Sequence, residues 1–264
     1  MKQQILSLLP ADMSWQIHWF DTVDSTNNLA KQLAQQGAPH GTVLIADRQT
    51  NGRGRMGRSF SSPCGKGIYL SVILRPPCPA QELMHLTCAV AEAMCNAVEN
   101  AAGLRPGVKW INDLIVRGKK LGGILTELSV DPESGLARHA IIGIGINCSQ
   151  AQEDFPSEIR DIAISLDTAT GKQTPRHLLA AEMILSLQKM DAKLFSHRDA
   201  TMAAYRKDCI TLGHEVVLLG TEESRSATAV DIDRDGALLV RFPDGTVRTV
   251  CSGEVSVRGM LGYV

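Results

Sequence analysis

Between Gln49 and Lys66 the chain reads QTNGRGRMGRSFSSPCGK. Four basic side chains (Arg53, Arg55, Arg58 and Lys66) stand beside four glycines (Gly52, Gly54, Gly57 and Gly65), and no acidic residue occurs between Asp47 and Glu82. That combination suits a loop that closes over phosphate. Bare glycines let backbone N–H groups approach an anion, and guanidinium groups offer two parallel donors to its oxygens. The formal charge of the whole chain is −1, so the positive charge is local and points to a site rather than to bulk attraction for a polyanion.

Two familiar phosphate motifs fail on inspection. Gly52-Arg53-Gly54-Arg55-Met56-Gly57 has the GxGxxG spacing, but a dinucleotide fingerprint needs a helix directly after it, and Ser59-Phe60-Ser61-Ser62-Pro63 is a poor helix start. A P-loop fails because Gly65-Lys66 is followed by Gly67 rather than Ser or Thr. Taken alone, the basic loop would equally suit a solvated segment that binds RNA. That reading lacks support elsewhere: there are only three Trp, three Tyr and five Phe to stack on bases.

The elements that must position the loop can be read from periodicity. GTVLIADRQ (41–49) reads as a buried strand running into it, and GIYLSVILRP (67–76) as a strand running out, stopped by Pro76-Pro77. Upstream, Asp24-Ser25-Thr26-Asn27 precedes LAKQLAQQG. Ser25 or Thr26 can cap a helix there, Leu29 and Leu33 share a face, and Gly37 can end it. Ala80 to Ala102 carries helical periodicity in Leu83, Leu86, Val90 and Met94. Val108 to Ile111 reads as a short strand ending at Asn112-Asp113. LIVRGKKLGGILTEL (114–128) reads as a hairpin turning at Arg117-Gly118. AIIGIGINC (140–148) is a strand whose Gly143 and Gly145 allow something to approach closely. Helices are expected over 178–195 and 200–209.

After Thr211 the texture changes to short apolar runs divided by turn residues, with Asp235-Gly236 and Asp244-Gly245 as hairpin signals. The expectation is an α/β (α+β) body, a mixed sheet packed by helices, over 1–211, and a small barrel of about five strands over 212–264. The seven cysteines form no CxxC pair and no Cys/His metal spacing. With the absence of a signal-like or membrane-length apolar run, they fit a reducing cytoplasm, and Cys64 reads as a bystander.

Five segments, in this order and spacing, closely resemble the biotin–protein ligase family: Asp24-Ser25-Thr26-Asn27; Gln49-x-x-Gly52-Arg53-Gly54-Arg55-x-Gly57-Arg58; Lys109-Trp110-x-Asn112-Asp113; Lys120-Leu121-x-Gly123-Ile124-Leu125; and Gly143-Ile144-Gly145-Ile146-Asn147. The resemblance covers roughly residues 20 to 260. It is to the short form of the family: about twenty residues precede Asp24, too few for the DNA-binding domain that makes some members repressors. The resemblance implies formation of biotinyl-5′-AMP from biotin and ATP, then transfer of biotin to a lysine of a biotin carboxyl carrier domain. It also implies an SH3-like C-terminal barrel, and Mg2+ that arrives with ATP and is held mainly by phosphates and water. No metal ligand is assigned, no DNA or membrane partner is expected, and a homodimer paired through a sheet edge remains open. Lipoate–protein ligation, which shares fold and chemistry, is the nearest rival.

By matching position, the resemblance gives Ser25, Thr26 and Gln49 to biotin's ureido ring, and Gly52, Arg53, Lys120 and Gly123 to the rest of biotin. Arg53, Arg55, Arg58, Lys109, Asn112 and Asn147 face ATP or the adenylate. Lys120 and Arg55 neutralise two anions brought within bonding distance. Asp113 serves as general base or orienting group for the incoming lysine, whose ordinary pKa lies near 10.4. The plain alternatives are helix capping for Ser25 and Thr26, and an ion pair of Lys109 with Asp113 at a strand end. Ile111 departs from the proline common in the family.

Overall fold

The computed structural model describes residues 1–219, 225–251 and 254–257. In chain order the elements are α1 (Lys2–Leu6), β1 (Gln16–Val23), α2 (Thr26–Gln35), β2 (Thr42–Gln49), β3 (Gly67–Leu74), α3 (Leu86–Ala102), β4 (Gly107–Lys109), β5 (Asp113–Val116), β6 (Lys119–Val130) and β7 (Ala137–Asn147). Helices α4 (Leu166–Thr170), α5 (Arg176–Lys193) and α6 (Arg198–Asp208) follow. Last come β8 (Glu215–Leu219), β9 (Arg225–Ile232), β10 (Leu238–Arg241), β11 (Val247–Val250) and β12 (Glu254–Val257).

Strands β1 to β7 form one mixed sheet in the order β1-β2-β3-β7-β6-β5-β4, with only β1 and β2 parallel. Every residue of β3 is buried, as expected of a central strand covered on both faces. Helices α3, α5 and α6 cover one face, and α2 covers the other at β3 and β7. The main core is continuous, with a satellite of Ala30, Ala34, Leu44, Ile73 and Ile141 under α2. The inner face of α2 is thus made by its alanines, and Leu29 and Leu33 flank it half-buried. Gly37 follows the helix at φ +91°, a conformation other residues rarely adopt. Strands β8 to β12 form a second, antiparallel sheet in the order β11-β10-β9-β8-β12. Among the described residues no helix is long and apolar enough to cross a membrane.

Several boundaries differ from expectation. The helix read from Ala80 is a single 3-10 turn, Ala80–Leu83, before α3 begins at Leu86. Val108 to Ile111 is not one strand: β4 stops at Lys109, and the chain turns through Trp110–Asn112 so that β5 pairs back on β4. The Trp110–Ile111 peptide bond is cis. The hairpin turn at Arg117-Gly118 is where the sequence places it, with both residues at positive φ.

Candidate active site

A cavity of about 390 Å3 opens above β6 and β7. Its floor is rich in glycine. Gly123 on β6 pairs with Gly145 on β7, Leu125 pairs with Gly143, and all four line the cavity. Its walls come from the start of α2, the end of β2, the basic loop, the turn at 109–113 and the segment that carries Phe155, Ile159, Ile162 and Ala163. Of the residues assigned from sequence, Ser25, Thr26, Gln49, Arg53, Arg55, Arg58, Lys109, Asn112, Asp113, Lys120, Gly123 and Asn147 all border this one space. Among the described residues five cations and one carboxylate therefore surround it, an arrangement suited to a ligand carrying several negative charges.

Gly52 does not border the cavity. A Cβ there would lie 2.3 Å from the Phe60 carbonyl oxygen and 2.7 Å from Ser62 Oγ, so its bareness serves the folding of the loop on itself. The loop is a miniature hairpin. Arg53 bridges Ser59, Phe60 N–H donates to the Gly52 carbonyl at 2.9 Å, and Gly54 N–H donates to Arg58 at 2.7 Å. Arg58 N–H in turn donates to the Arg55 carbonyl at 3.1 Å, so the Gly54 and Arg58 N–H groups are both spent inside the loop. Lys66 lies apart, paired with Asp154 at 2.8 Å.

Ser25 occupies the N-cap of α2 but makes no capping bond with its side chain, and Thr26 is also diverted. Thr26 N–H and Oγ1 both donate to Gln49 Oε1, at 2.8 and 3.1 Å. Gln49 Nε2 donates to Ser62 Oγ at 2.9 Å, and Ser62 Oγ donates to the Phe60 carbonyl at 2.9 Å. A chain of hydrogen bonds thus ties the pocket end of α2 to the basic loop.

Gly143 and Gly145 admit the protein's own side chains. A Cβ on Gly143 would sit 1.9 Å from Asn27 Oδ1, and one on Gly145 would sit 2.5 Å from the Phe60 ring. Asn27 is fixed by Ser71 Oγ, which donates to its Oδ1 at 2.6 Å, and by its own donation to Glu127 at 3.0 Å. Glu127 also receives Lys31 at 2.5 Å and Arg53 at 3.3 Å. Burial pushes this carboxyl up, but the bonds from Lys31 and Asn27 and the nearby charges outweigh it and hold it below the usual range.

On the opposite wall, Lys120 Nζ pairs with Asp113 Oδ1 at 2.8 Å. The register of β5 against β6 slips between Leu114 and Ile115, the irregularity that brings residue 120 beside residue 113. The pair lies over Gly123, whose missing Cβ would be 3.4 Å from Lys120 Cε and 3.6 Å from Asp113 Oδ1. Asp113 thus has Lys120 as an ion-pair partner. Lys109 is itself buried and lines the cavity. Arg55 Nη1 donates to Asn112 Oδ1 at 3.0 Å, linking the loop to this turn. Asn147 is held by donation to the Ile164 carbonyl at 3.2 Å and by acceptance from Gln150 at 3.0 Å.

Phe60, Asn27 and the 155–163 segment were not found from sequence. The two bare glycines of β7 were the available signal for the first two, since a gap in a buried strand implies an occupant. The last carries no periodic pattern. It is held by backbone bonds to Lys120, which donates to the Ile162 carbonyl at 2.7 Å and accepts from Ile164 at 3.0 Å. Cys64 donates to Asp47 at 2.8 Å, and that carboxylate pushes the thiol's pKa up, away from reactivity. Among the described residues no group of three or more His, Cys, Asp or Glu side chains could hold a metal.

Residues 19–147 match the biotin/lipoate A/B protein ligase family, and residues 211–258 match the biotin protein ligase C-terminal domain. The chain belongs to the biotin protein ligase family. As a ligase of this family it is 34% identical over 246 residues to the bifunctional ligase/repressor BirA of Bacillus subtilis, a match covering 93% of this chain and 75% of that one. It is 32% identical over 258 residues to the biotin–[acetyl-CoA-carboxylase] ligase of Mycobacterium tuberculosis, covering 94% and 91%. The ligase also superposes on the Aquifex aeolicus biotin protein ligase in complex with biotin and ATP, with a TM-score of 0.77 and 32% identity over 92% of this chain and 98% of that one.

Proposed function

We propose that this cavity joins biotin to ATP as biotinyl-5′-AMP, releasing pyrophosphate, and then passes the biotinyl group to one lysine of a biotin carboxyl carrier domain. The observation that carries the reading is the Lys120–Asp113 pair at the edge of a glycine floor, with Arg53, Arg55 and Arg58 in the facing loop. A carboxylate must attack the α-phosphate, and two anions approach only where fixed positive charge offsets their repulsion. In this reading Lys120 bridges them, with Arg55 on the phosphate oxygens and Arg53 at the carboxylate end. Arg58, Lys109, Asn112 and Asn147 complete the nucleotide side. Ser25, Thr26 and Gln49 meet the ureido ring, with Gly123 beneath the ligand.

In the second step the carrier lysine attacks the biotinyl carbonyl, and AMP leaves. Asp113 takes or orients the amine proton. Among the described residues the one carboxylate that borders the cavity, Asp113, is already paired with Lys120. Mg2+ would arrive with the triphosphate, whose oxygens and waters would hold it.

The same reading takes residues 1–211 as the catalytic domain and 212–264 as an SH3-like barrel. It places the protein in the cytoplasm, where its thiols stay reduced, and includes no DNA-binding role. Pairing of two copies would use a sheet edge, of which β1 is the outer strand on one side.

The test is incubation with Mg-ATP, a biotin carrier domain and a lipoyl carrier domain, with biotin or lipoate, followed by the mass of each acceptor. A gain of biotin minus water on the biotin carrier alone is expected. Transfer of lipoate alone would correct the substrate, and no transfer to either would overturn the reading.

A further inference from the structure

The turn that carries Lys109, Asn112 and Asp113 is held from behind by residues far along the chain. Trp110 N–H donates to Thr211 Oγ1 at 2.9 Å, and its indole Nε1–H donates to the Gly236 carbonyl at 2.9 Å. Tyr205 Oη donates to the Ile111 carbonyl at 3.2 Å, and Ile210 N–H donates to Val108 at 2.9 Å. Trp110, Tyr205 and Thr211 are all buried, so each of these groups depends on its protein partner.

Gly236 sits in the turn between β9 and β10 of the second sheet. The Asp233 carboxylate fixes that turn by accepting from Asp235 and Ala237 N–H, each at 2.9 Å. Gly236 has φ +89°, and a Cβ on it would lie 2.8 Å from Cys88 Sγ, so the turn is seated tightly against α3. Arg206 anchors its base by donating to the Ile232 carbonyl at 2.6 Å.

The cavity side of the same turn makes the contacts that place the cations. Asn112 receives Arg55 at 3.0 Å and donates to the Ile124 carbonyl at 3.0 Å, and Asp113 holds Lys120 at 2.8 Å. Neither Thr211 nor Gly236 borders the cavity. We propose that Thr211 and Gly236 are positioning residues for adenylation: together they fix the Trp110 turn, and through Asn112 and Asp113 they set where Arg55 and Lys120 stand. Thr211 and Gly236 thereby take part in the first half-reaction from outside the cavity. This rests on the adenylation reading given above.

The test is Thr211→Val, which keeps the shape and removes the acceptor, with Thr211→Ser as the conservative control. Biotin-dependent exchange of pyrophosphate into ATP is measured where circular dichroism shows every variant folded, with biotin sites counted by titration. Thr211→Val should lose about tenfold in kcat, the rate equivalent of misplacing a turn around one orphaned amide. Its biotin stoichiometry should stay at the wild-type value and its biotin KM within about twofold, because Ser25, Thr26 and Gln49 stand on other elements. Thr211→Ser should retain wild-type kcat.

A purely structural role would instead reduce the number of biotin sites in step with the rate. That result, a kcat for Thr211→Val within twofold of wild type, or equal losses in both variants would overturn the proposal. If Thr211→Val does not fold, Gly236→Ala, whose Cβ must displace the turn from Cys88, is read by the same split of kcat from KM. Exchange absent in the wild-type protein itself would overturn the adenylation reading and this inference with it.

Discussion

The two cationic walls of the cavity are built in opposite ways. In the basic loop, Arg53, Met56, Gly57, Arg58 and Ser59 are exposed. The loop is closed by its own backbone bonds, by Phe60 against Gly145, and by the hydrogen-bond chain through Gln49. Across from it, Lys109 and Trp110 are buried, and their turn is gripped by Tyr205, Thr211 and Gly236. One wall can reshape around a ligand at little cost to the core. The other cannot move without unpairing buried polar groups. A site that must admit ATP and then hold two anions together needs both: a loop that yields, and a turn that keeps Lys120 and Asp113 fixed.

The sharpest break of this contrast is on the fixed wall. Lys120→Ala should lose about 100- to 1000-fold in adenylation while its thermal midpoint stays near wild type, since the lysine is a partly exposed charge rather than a core group. Wild-type exchange in that variant would remove Lys120 from the chemistry. Asp113→Ala should slow transfer to the carrier by about 100-fold and adenylation by less, as the loss of a proton acceptor or orienting group would. Equal losses in both half-reactions, read by single turnover, would assign Asp113 a positioning role only.

On the yielding wall the effects should be smaller. Phe60→Ala should raise the biotin KM by about tenfold, the equivalent of about 1.5 kcal/mol of lost apolar contact over Gly145, with kcat changed little. A fall in kcat with KM unchanged would mean that the loop, like the turn, orients the reacting groups.

The smallest effect should come from the loop's outer latch, Glu127. Its folded-state pKa lies below the ordinary 4.5, so its stabilisation is complete above that value and is lost as the pH falls through the depressed folded value. Glu127→Gln should therefore be less stable than wild type by about 0.5–1 kcal/mol at pH 7, discounted for partial exposure. The difference should vanish in acid. A gap that persisted at low pH would point to packing rather than charge.

The same contrast explains what could be read in advance. Strand β3 and the hairpin of β5 and β6 follow from apolar runs and from a turn that announces itself in Arg117-Gly118. The basic loop stands out by its residue types, arginines among glycines, but those types alone equally suit a segment that binds RNA, and only the other four segments separate the two readings. Strand β1 escaped because its burial is mixed rather than alternating, which left no period to detect. The Lys120–Asp113 pair escaped because a register slip between β5 and β6 decides it, and spacing along the chain does not record a slip. The supports at Thr211 and Gly236 lie about a hundred residues from the turn they hold, where only the fold brings them together.

Biotin-dependent exchange of pyrophosphate into ATP, with no carrier protein present, tests the central claim most directly. Exchange with biotin, and none with lipoate or without an acid, is the expected result. No exchange with biotin, or exchange driven by lipoate alone, would contradict the assignment of this cavity to biotin adenylation.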